Sequence, residues 1–271
     1  MSAPRALVDG EPGERLSIRD RGLHYGDGLF ETVRREEGRL RWFDRHLARL
    51  ALGCERLGLA APDAELLRAE AGSAGSDLPD ALVKIILTRG TATGRGYRPS
   101  GEERPTRVVC AYDWPPAPPA EFRAGLSPVR LGRNPQLAGI KHLNRLEQVL
   151  AQRDAAQQDL HEVLMLSSAG EFVGGSMSNL FAWRGDELLT PPVADCGVAG
   201  VMRSLVLEAA VALGIPARVA ALPLGDLAAI DSLFVTNVRL GTQPIHWYQG
   251  RPLRLDARTA KLQDWIDARS P

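Results

Sequence analysis

A mixed α/β (α+β) protein of two domains is the fold that the sequence predicts, and three observations lead to it. Strand-like and helix-like stretches interleave in both halves of the chain. A proline-rich run, Asp113-Trp114-Pro115-Pro116-Ala117-Pro118-Pro119-Ala120, separates those halves. The 271 residues, 44% hydrophobic and 24% charged, suffice for one large core or two smaller ones. The prolines fix extended backbone and remove N–H donors, so residues 114–119 are expected to link an N-terminal domain, 1–113, to a C-terminal domain, 120–271. Clefts between domains are common ligand sites, and the active site is expected there.

Each element has its own signal. Residues 29–35 and 40–42 flank Glu36-Glu37-Gly38-Arg39 as a hairpin, and Asp44 is placed to cap a helix with Leu47, Leu50, Cys54 and Leu57 inward. Residues 81–88 and 106–112 read as strands. Beyond the linker, 126–131, 162–167, 179–184, 187–190, 217–222 and 231–236 read as strands, and 144–157 and 202–213 as helices, the second ended by Gly214. Asn144 is placed to cap the first of these helices, with Leu146, Val149 and Leu150 as its inward stripe. No repeat of 20 to 50 residues is visible.

Composition excludes several classes of function. Net charge is zero and the pI is near 7, with no block of like charge, so no nucleic-acid partner is expected. Cys54, Cys110 and Cys196 are odd in number and widely spaced, which fits buried reduced thiols and a cytoplasmic location. Residues 1–10 lack the apolar core of a signal peptide, and no apolar run approaches the ~20 residues needed to span a bilayer. His24, His46, His142, His161 and His246 show no metal-ligand spacing, so no metal is expected.

The most informative residue is Lys141, in Gly139-Ile140-Lys141-His142-Leu143-Asn144-Arg145-Leu146-Glu147-Gln148. A lysine at a glycine-marked strand-to-helix junction can carry an aldehyde cofactor. This stretch resembles the cofactor-lysine segment of the fold-type IV pyridoxal-phosphate enzymes, and within them the aminodeoxychorismate lyase branch. Tyr25-Gly26-Asp27-Gly28-Leu29-Phe30-Glu31-Thr32-Val33-Arg34, His46-Leu47-Ala48-Arg49-Leu50 and Ser176-Met177-Ser178-Asn179-Leu180-Phe181 match in the same order. Arg89-Gly90 followed by Gly94-Arg95-Gly96-Tyr97 points to the same branch.

The resemblance implies pyridoxal 5'-phosphate as cofactor, held covalently by Lys141, which then serves as general base. It implies Arg49 as phosphate ligand, where spacing alone would favour a solvated arginine on an amphipathic helix. Gly200-Val201-Met202-Arg203 opens a helix, so the amides of Val201 and Met202 offer an anion site. Asn237 is a further cofactor candidate or a strand-end turn residue. Thr32 matches a threonine implicated in handling protons, and is otherwise a β-branched strand residue. Arg34, Arg95 and Tyr97 are candidates for the substrate carboxylates, the last two on a glycine-rich loop able to close.

One departure stands out. The family places a glutamate, opposite the pyridine nitrogen, at the position of Gly174. Its loss weakens the electron sink and disfavours amino-group exchange more than elimination. The implied activity is elimination from 4-amino-4-deoxychorismate to 4-aminobenzoate and pyruvate, by a homodimer. Amino transfer to branched-chain or D-amino acids, or a non-catalytic cofactor-binding role, are the alternatives.

Overall fold

The computed structural model describes residues 3–269. The chain divides into two compact units, one reaching Pro116 and including Ile140–Asn144, the other comprising Ala117–Gly139 and the chain from Arg145 on.

In the first unit, strands β1 (Ala6–Val8), β2 (Glu11–Pro12), β3 (Gly28–Glu36), β4 (Arg39–Leu40), β5 (Ala81–Thr88) and β6 (Thr106–Asp113) form one antiparallel sheet of order β2-β1-β6-β5-β3-β4. Helices α1 (Arg21–Tyr25), α2 (Phe43–Leu57) and α3 (Ala64–Ser73) complete it. Strand periodicity sorts β3 into two faces. Leu29, Glu31, Val33 and Arg35 are buried, while Phe30, Thr32, Arg34 and Glu36 are half-buried. The hairpin turn is made by Glu37 and Gly38, both at positive φ, 48° and 79°.

Helix α2 buries Phe43, His46, Leu50, Gly53 and Cys54. Its face is therefore turned from the expected one, and Leu47 and Leu57 lie at its half-buried margin. Asp44 does not cap it. Trp42 occupies the cap position in a left-handed conformation without a side-chain bond, and Asp44 instead pairs with Arg68 at 2.5 Å.

Segment 140–144 belongs with this unit because it hydrogen bonds to the free edge of β3. The Phe30 amide donates to the Lys141 carbonyl at 2.9 Å, and the Leu143 amide to the Gly28 carbonyl at 3.0 Å. Leu29 and His142 form an antiparallel bridge. The lysine follows the linker in sequence, yet it groups with the N-terminal unit and not with the C-terminal domain expected to carry it.

The second unit holds β7 (Arg123–Leu131), α4 (Leu146–Gln157), β8 (Glu162–Ser167), β9 (Phe172–Gly175), β10 (Asn179–Arg184), β11 (Glu187–Thr190), α5 (Val201–Ala212), β12 (Ala217–Val219), β13 (Ser232–Asn237), β14 (Gly241–Pro244), β15 (Trp247–Tyr248), β16 (Arg251–Pro252) and α6 (Arg258–Asp267). Two five-stranded sheets result, β12-β11-β10-β13-β14 and β16-β15-β7-β8-β9. Phe122, Leu164, Leu166, Phe172, Leu180 and Val235 belong to one shared core cluster. Strand β12 ends at Val219, short of the expected 222, because its partner β11 ends opposite it at Thr190.

Helix α4 corrects two expectations. It starts at Leu146 without a side-chain cap, and the Asn144 side chain donates instead to the Gly26 carbonyl at 3.1 Å. Its buried residues are Ala151 and Ala155, whereas Leu146 and Val149 are 71% and 60% exposed.

Candidate active site

Within the first unit, β3 organises the chemistry. Its half-buried face presents Phe30, Thr32 and Arg34 in succession, with Lys84 of β5 directly opposite Thr32 in the ladder. The Lys141 Nζ lies 4.3 Å from the centroid of the Phe30 ring, and that of Lys84 lies 5.4 Å from the same centroid. An amine, a hydroxyl and cations are thereby gathered on one sheet face, Lys141 being held by its own backbone bond to Phe30 and by that of Leu143 to Gly28. The Arg34 guanidinium rests on the Trp114 ring at 4.6 Å and donates to Glu36, which also pairs with Arg41.

On the opposite phase of β3, Glu31 points inward and meets α2. Arg49 donates from Nε to Glu31 Oε1 at 2.8 Å and from Nη2 to Oε2 at 2.5 Å. His46 Nδ1 donates to Oε2 at 2.7 Å. Burial alone would raise the Glu31 carboxyl, but the Arg49 charge and the hydrogen bonds from Arg49 and His46 outweigh it and hold its pKa at about 2. Burial lowers the pKa of His46, with Glu31 opposing and Arg49 and Lys141 adding to the shift. His46 is therefore neutral with its proton on Nδ1, and Nε2 is a buried acceptor with no hydrogen-bond partner among the described residues.

Arg95 and Tyr97 sit on the loop after β5, both exposed, Tyr97 at 85%. The loop is held. Arg21 donates to the carbonyls of Gly96 and Tyr97 at 3.1 and 2.6 Å.

Within the second unit, α5 begins at Val201 with Gly200 as an N-cap that offers no side chain. The amides of Val201 and Met202 have no acceptor among the described residues, as expected for a first helical turn left open to an anion. A Cβ on Gly200 would lie 2.0 Å from Asn179 Oδ1, so any side chain there would displace the Asn179 amide, which donates to the Val198 carbonyl at 2.9 Å. Asn237 ends β13 as a turn residue. Its Oδ1 accepts from the amides of Arg239 and Leu240 at 2.9 and 2.8 Å, and its Nδ2 donates to the Met177 carbonyl at 3.2 Å, leaving one Nδ2 proton for another acceptor.

Gly174 lies on β9, where a Cβ would come 2.6 Å from the Ser178 carbonyl oxygen. The site has no room for the family's glutamate without a backbone shift. A carboxylate does lie near. Glu162, 1% exposed, accepts from the amides of Val163 and Ser176 at 3.0 Å each and from Ser178 Oγ at 2.8 Å. Its oxygen lies 2.7 Å from where a Cβ on Gly175 would be, and residues 174 and 175 face opposite sides of the strand. Glu162 shapes the 175–178 turn from the far side and does not stand in for a side chain at 174.

Sequence reasoning did not single out Glu31, Lys84 or Glu162 as site residues. For Glu31 and Glu162 the signal was an acidic residue in the buried phase of a strand, which needs cationic or amide partners to be tolerated. Lys84 gave none, since its register opposite Thr32 is a tertiary fact.

Each unit holds groups of the kind pyridoxal phosphate needs: in the first a primary amine on a strand edge and a guanidinium held by a buried carboxylate, in the second a glycine-opened helix start. The comparisons agree. The profile described as Amino-transferase class IV matches residues 28–257. The chain is 33% identical to aminodeoxychorismate lyase of Vibrio harveyi, over 94% of this chain and 95% of that one. It is 29% identical to a putative branched-chain-amino-acid aminotransferase of Methanocaldococcus jannaschii, over 89% and 85%. The crystal structure of 4-amino-4-deoxychorismate lyase from Pseudomonas aeruginosa superposes with a TM-score of 0.91 at 39% identity, covering 97% of this chain and 98% of that one. With most of its length matched by the profile, and with the lysine, arginine and helix start just described, the chain belongs to the class IV amino-transferase family.

Proposed function

We propose that the protein is a pyridoxal-phosphate-dependent 4-amino-4-deoxychorismate lyase, releasing 4-aminobenzoate and pyruvate. The observation that carries this reading is the sheet face on which Lys141 and Lys84 both approach the Phe30 ring and Lys84 lies opposite Thr32. The similarity to two named lyases supports it, and so does Gly174, where a protein built for amino-group exchange would want a carboxylate.

When bound, pyridoxal phosphate supplies an aldehyde for the substrate amine and a ring that draws electrons from the adjoining carbon. Lys141 would be the residue that holds the cofactor's aldehyde, and its side-chain amine, once free, would be the base for the proton on the amine-bearing carbon of the substrate ring. The proton so taken would return to the departing enolate, either from Lys141 directly or relayed through the Thr32 hydroxyl, completing pyruvate. For the cofactor's phosphate, Arg49 would be the candidate ligand in the first unit, and the amides of Val201 and Met202 and the spare Asn237 proton the candidates in the second. Arg34 and Lys84 on the sheet, with Arg95 and Tyr97 on the loop, serve the two substrate carboxylates.

A homodimer and a cytoplasmic location complete the proposal. What supports the dimer is the apolar Leu146 and Val149 pair left exposed on α4. Among the described residues no helix is long and apolar enough to cross a membrane.

Borohydride reduction of the cofactor-loaded protein, followed by peptide mapping, should place the label on Lys141. Incubation with 4-amino-4-deoxychorismate and no keto acid should yield 4-aminobenzoate, and Lys141→Ala should not. A label on another amine, or product formation at a near-normal rate by the variant, refutes the reading. Amino transfer to a keto acid would select the aminotransferase, and failure to take up cofactor the non-catalytic paralogue.

A further inference from the structure

We propose that Arg21 is a positioning residue for substrate binding, its guanidinium clamping the backbone of the 94–98 loop and so setting where Arg95 and Tyr97 meet an anionic substrate. The substrate half of this rests on the lyase reading above; the clamp does not.

Arg21 is 3% exposed, unusual for an arginine, and all three of its guanidinium nitrogens are used. Nε donates to Asp27 Oδ2 at 2.8 Å, Nη1 to the Gly96 carbonyl at 3.1 Å and Nη2 to the Tyr97 carbonyl at 2.6 Å. The planar fork thus spans a carboxylate on one side and two successive loop carbonyls on the other, a geometry that an ammonium cannot reproduce. Asp27 is anchored in turn. Arg89 donates to it from Nε at 2.8 Å and Nη2 at 3.1 Å, and carries the link to the carbonyls of Leu57 and Gly58 at the end of α2.

Tyr25 adds a second hold. Its hydroxyl accepts from the Gly96 amide at 3.3 Å, its ring lies 4.9 Å from the Arg21 guanidinium carbon, and the ring of Tyr97 packs against it at 5.3 Å. The start of the loop is fixed as well, by the Arg21 amide on the Gly90 carbonyl and the Ala92 amide on the Arg19 carbonyl, at 2.9 and 3.1 Å.

Against this, the side chains of Arg95 and Arg98 make no hydrogen bond or ion pair among the described residues, and both are exposed. A loop whose backbone is strapped while its cations stay unengaged keeps the ordering cost of ligand binding low. Solvated loops of purely connecting character have no need of a buried arginine beneath them.

The loop carries its own reporter. Trypsin cuts after arginine but not before proline, so Arg98-Pro99 and Arg104-Pro105 resist and Arg95-Gly96 is the bond at risk. In Arg21→Gln and Arg21→Lys the Asp27 carboxylate keeps Arg89, so no buried charge is stranded. Both variants should be cut at Arg95-Gly96 about tenfold faster than the parent, as expected for two lost hydrogen bonds. With 4-amino-4-deoxychorismate, KM should rise about tenfold and kcat should fall by less than KM rises. Tyr25→Phe, which removes only the hydroxyl, should move both readouts about two- to threefold in the same direction, and serves if the Arg21 variants do not fold.

Parental protein that releases no 4-aminobenzoate overturns the proposed function and the substrate role of Arg21 with it. An active parent whose Arg21→Gln variant keeps its KM, whatever its cleavage rate, overturns the role of Arg21 alone. Full rescue of both readouts by Arg21→Lys overturns the fork geometry on which the proposal stands.

Discussion

Glu31 and Arg49 meet through two parallel bonds, Nε to Oε1 at 2.8 Å and Nη2 to Oε2 at 2.5 Å, inside a core where the glutamate side chain is 2% exposed and the arginine 10%. The pair orients the guanidinium. Glu31→Gln keeps the shape but strands a buried positive charge, so stability should fall by about 3–5 kcal/mol, read by urea unfolding at neutral pH. Affinity for pyridoxal 5'-phosphate should drop more than affinity for pyridoxal, which lacks the phosphate. Equal losses for the two would sever the link between this pair and phosphate binding.

Acid should find the same pair. The Glu31 pKa in the folded protein is about 2 against 4.5 for an ordinary glutamate, so its contribution, about 3 kcal/mol, is complete above pH 4.5 and lost as the pH falls toward 2. His46, lowered by burial, acts with the same sign, its stabilising share being lost as the pH falls below its ordinary 6.5. Urea midpoints measured from pH 7 to pH 3 should decline steeply for the parent and less steeply for Glu31→Gln.

Thr32→Val replaces a hydroxyl by a methyl on a strand that favours both residues. If the hydroxyl moves a proton, kcat should fall by about 10²- to 10⁴-fold with the melting temperature unchanged. An unaltered kcat would remove Thr32 from the chemistry.

Lys84→Met keeps the apolar stem against Phe30 and deletes the charge. KM for the lyase substrate should rise by one to two orders of magnitude, roughly what a charge-assisted hydrogen bond contributes, while the cofactor absorbance is retained.

Gly174→Glu tests whether the family pattern can be restored. The new Cβ would start 2.6 Å from the Ser178 carbonyl oxygen, so the turn must shift and stability should fall by about 1–3 kcal/mol. A melting temperature equal to the parent's would mean that position 174 is roomier than its neighbours indicate.

Much of this was legible in the residues. Strands such as Glu162–Ser167 and Asn179–Arg184 announce themselves by continuous apolar runs, and the hairpin at Glu37-Gly38 by its turn chemistry. Lys141 and the open start of α5 were visible as motifs. What stayed hidden depended on tertiary partners. Asn144 has the side chain of a helix cap but spends it on the Gly26 carbonyl, and Leu146 and Val149 have the spacing of a buried stripe but remain exposed. Short pieces such as β1, β14 and β15 lack the length for a periodic signal, and α3 and α6 hide behind alanine-rich and charged sequence with small apolar faces. Arg21 reads as one more charged residue until its three partners are seen.

The lysine segment has one more consequence, for biosynthesis. On the ribosome, residues up to Pro116 emerge well before Lys141, so the Phe30 amide and the Gly28 carbonyl of β3 must await the backbone partners that Lys141 and Leu143 supply, and a sheet margin in that state invites pairing with a neighbouring nascent chain. The segment that brings Lys141 to the sheet also covers that margin, so the placing of this amine and the closing of the sheet edge are a single event.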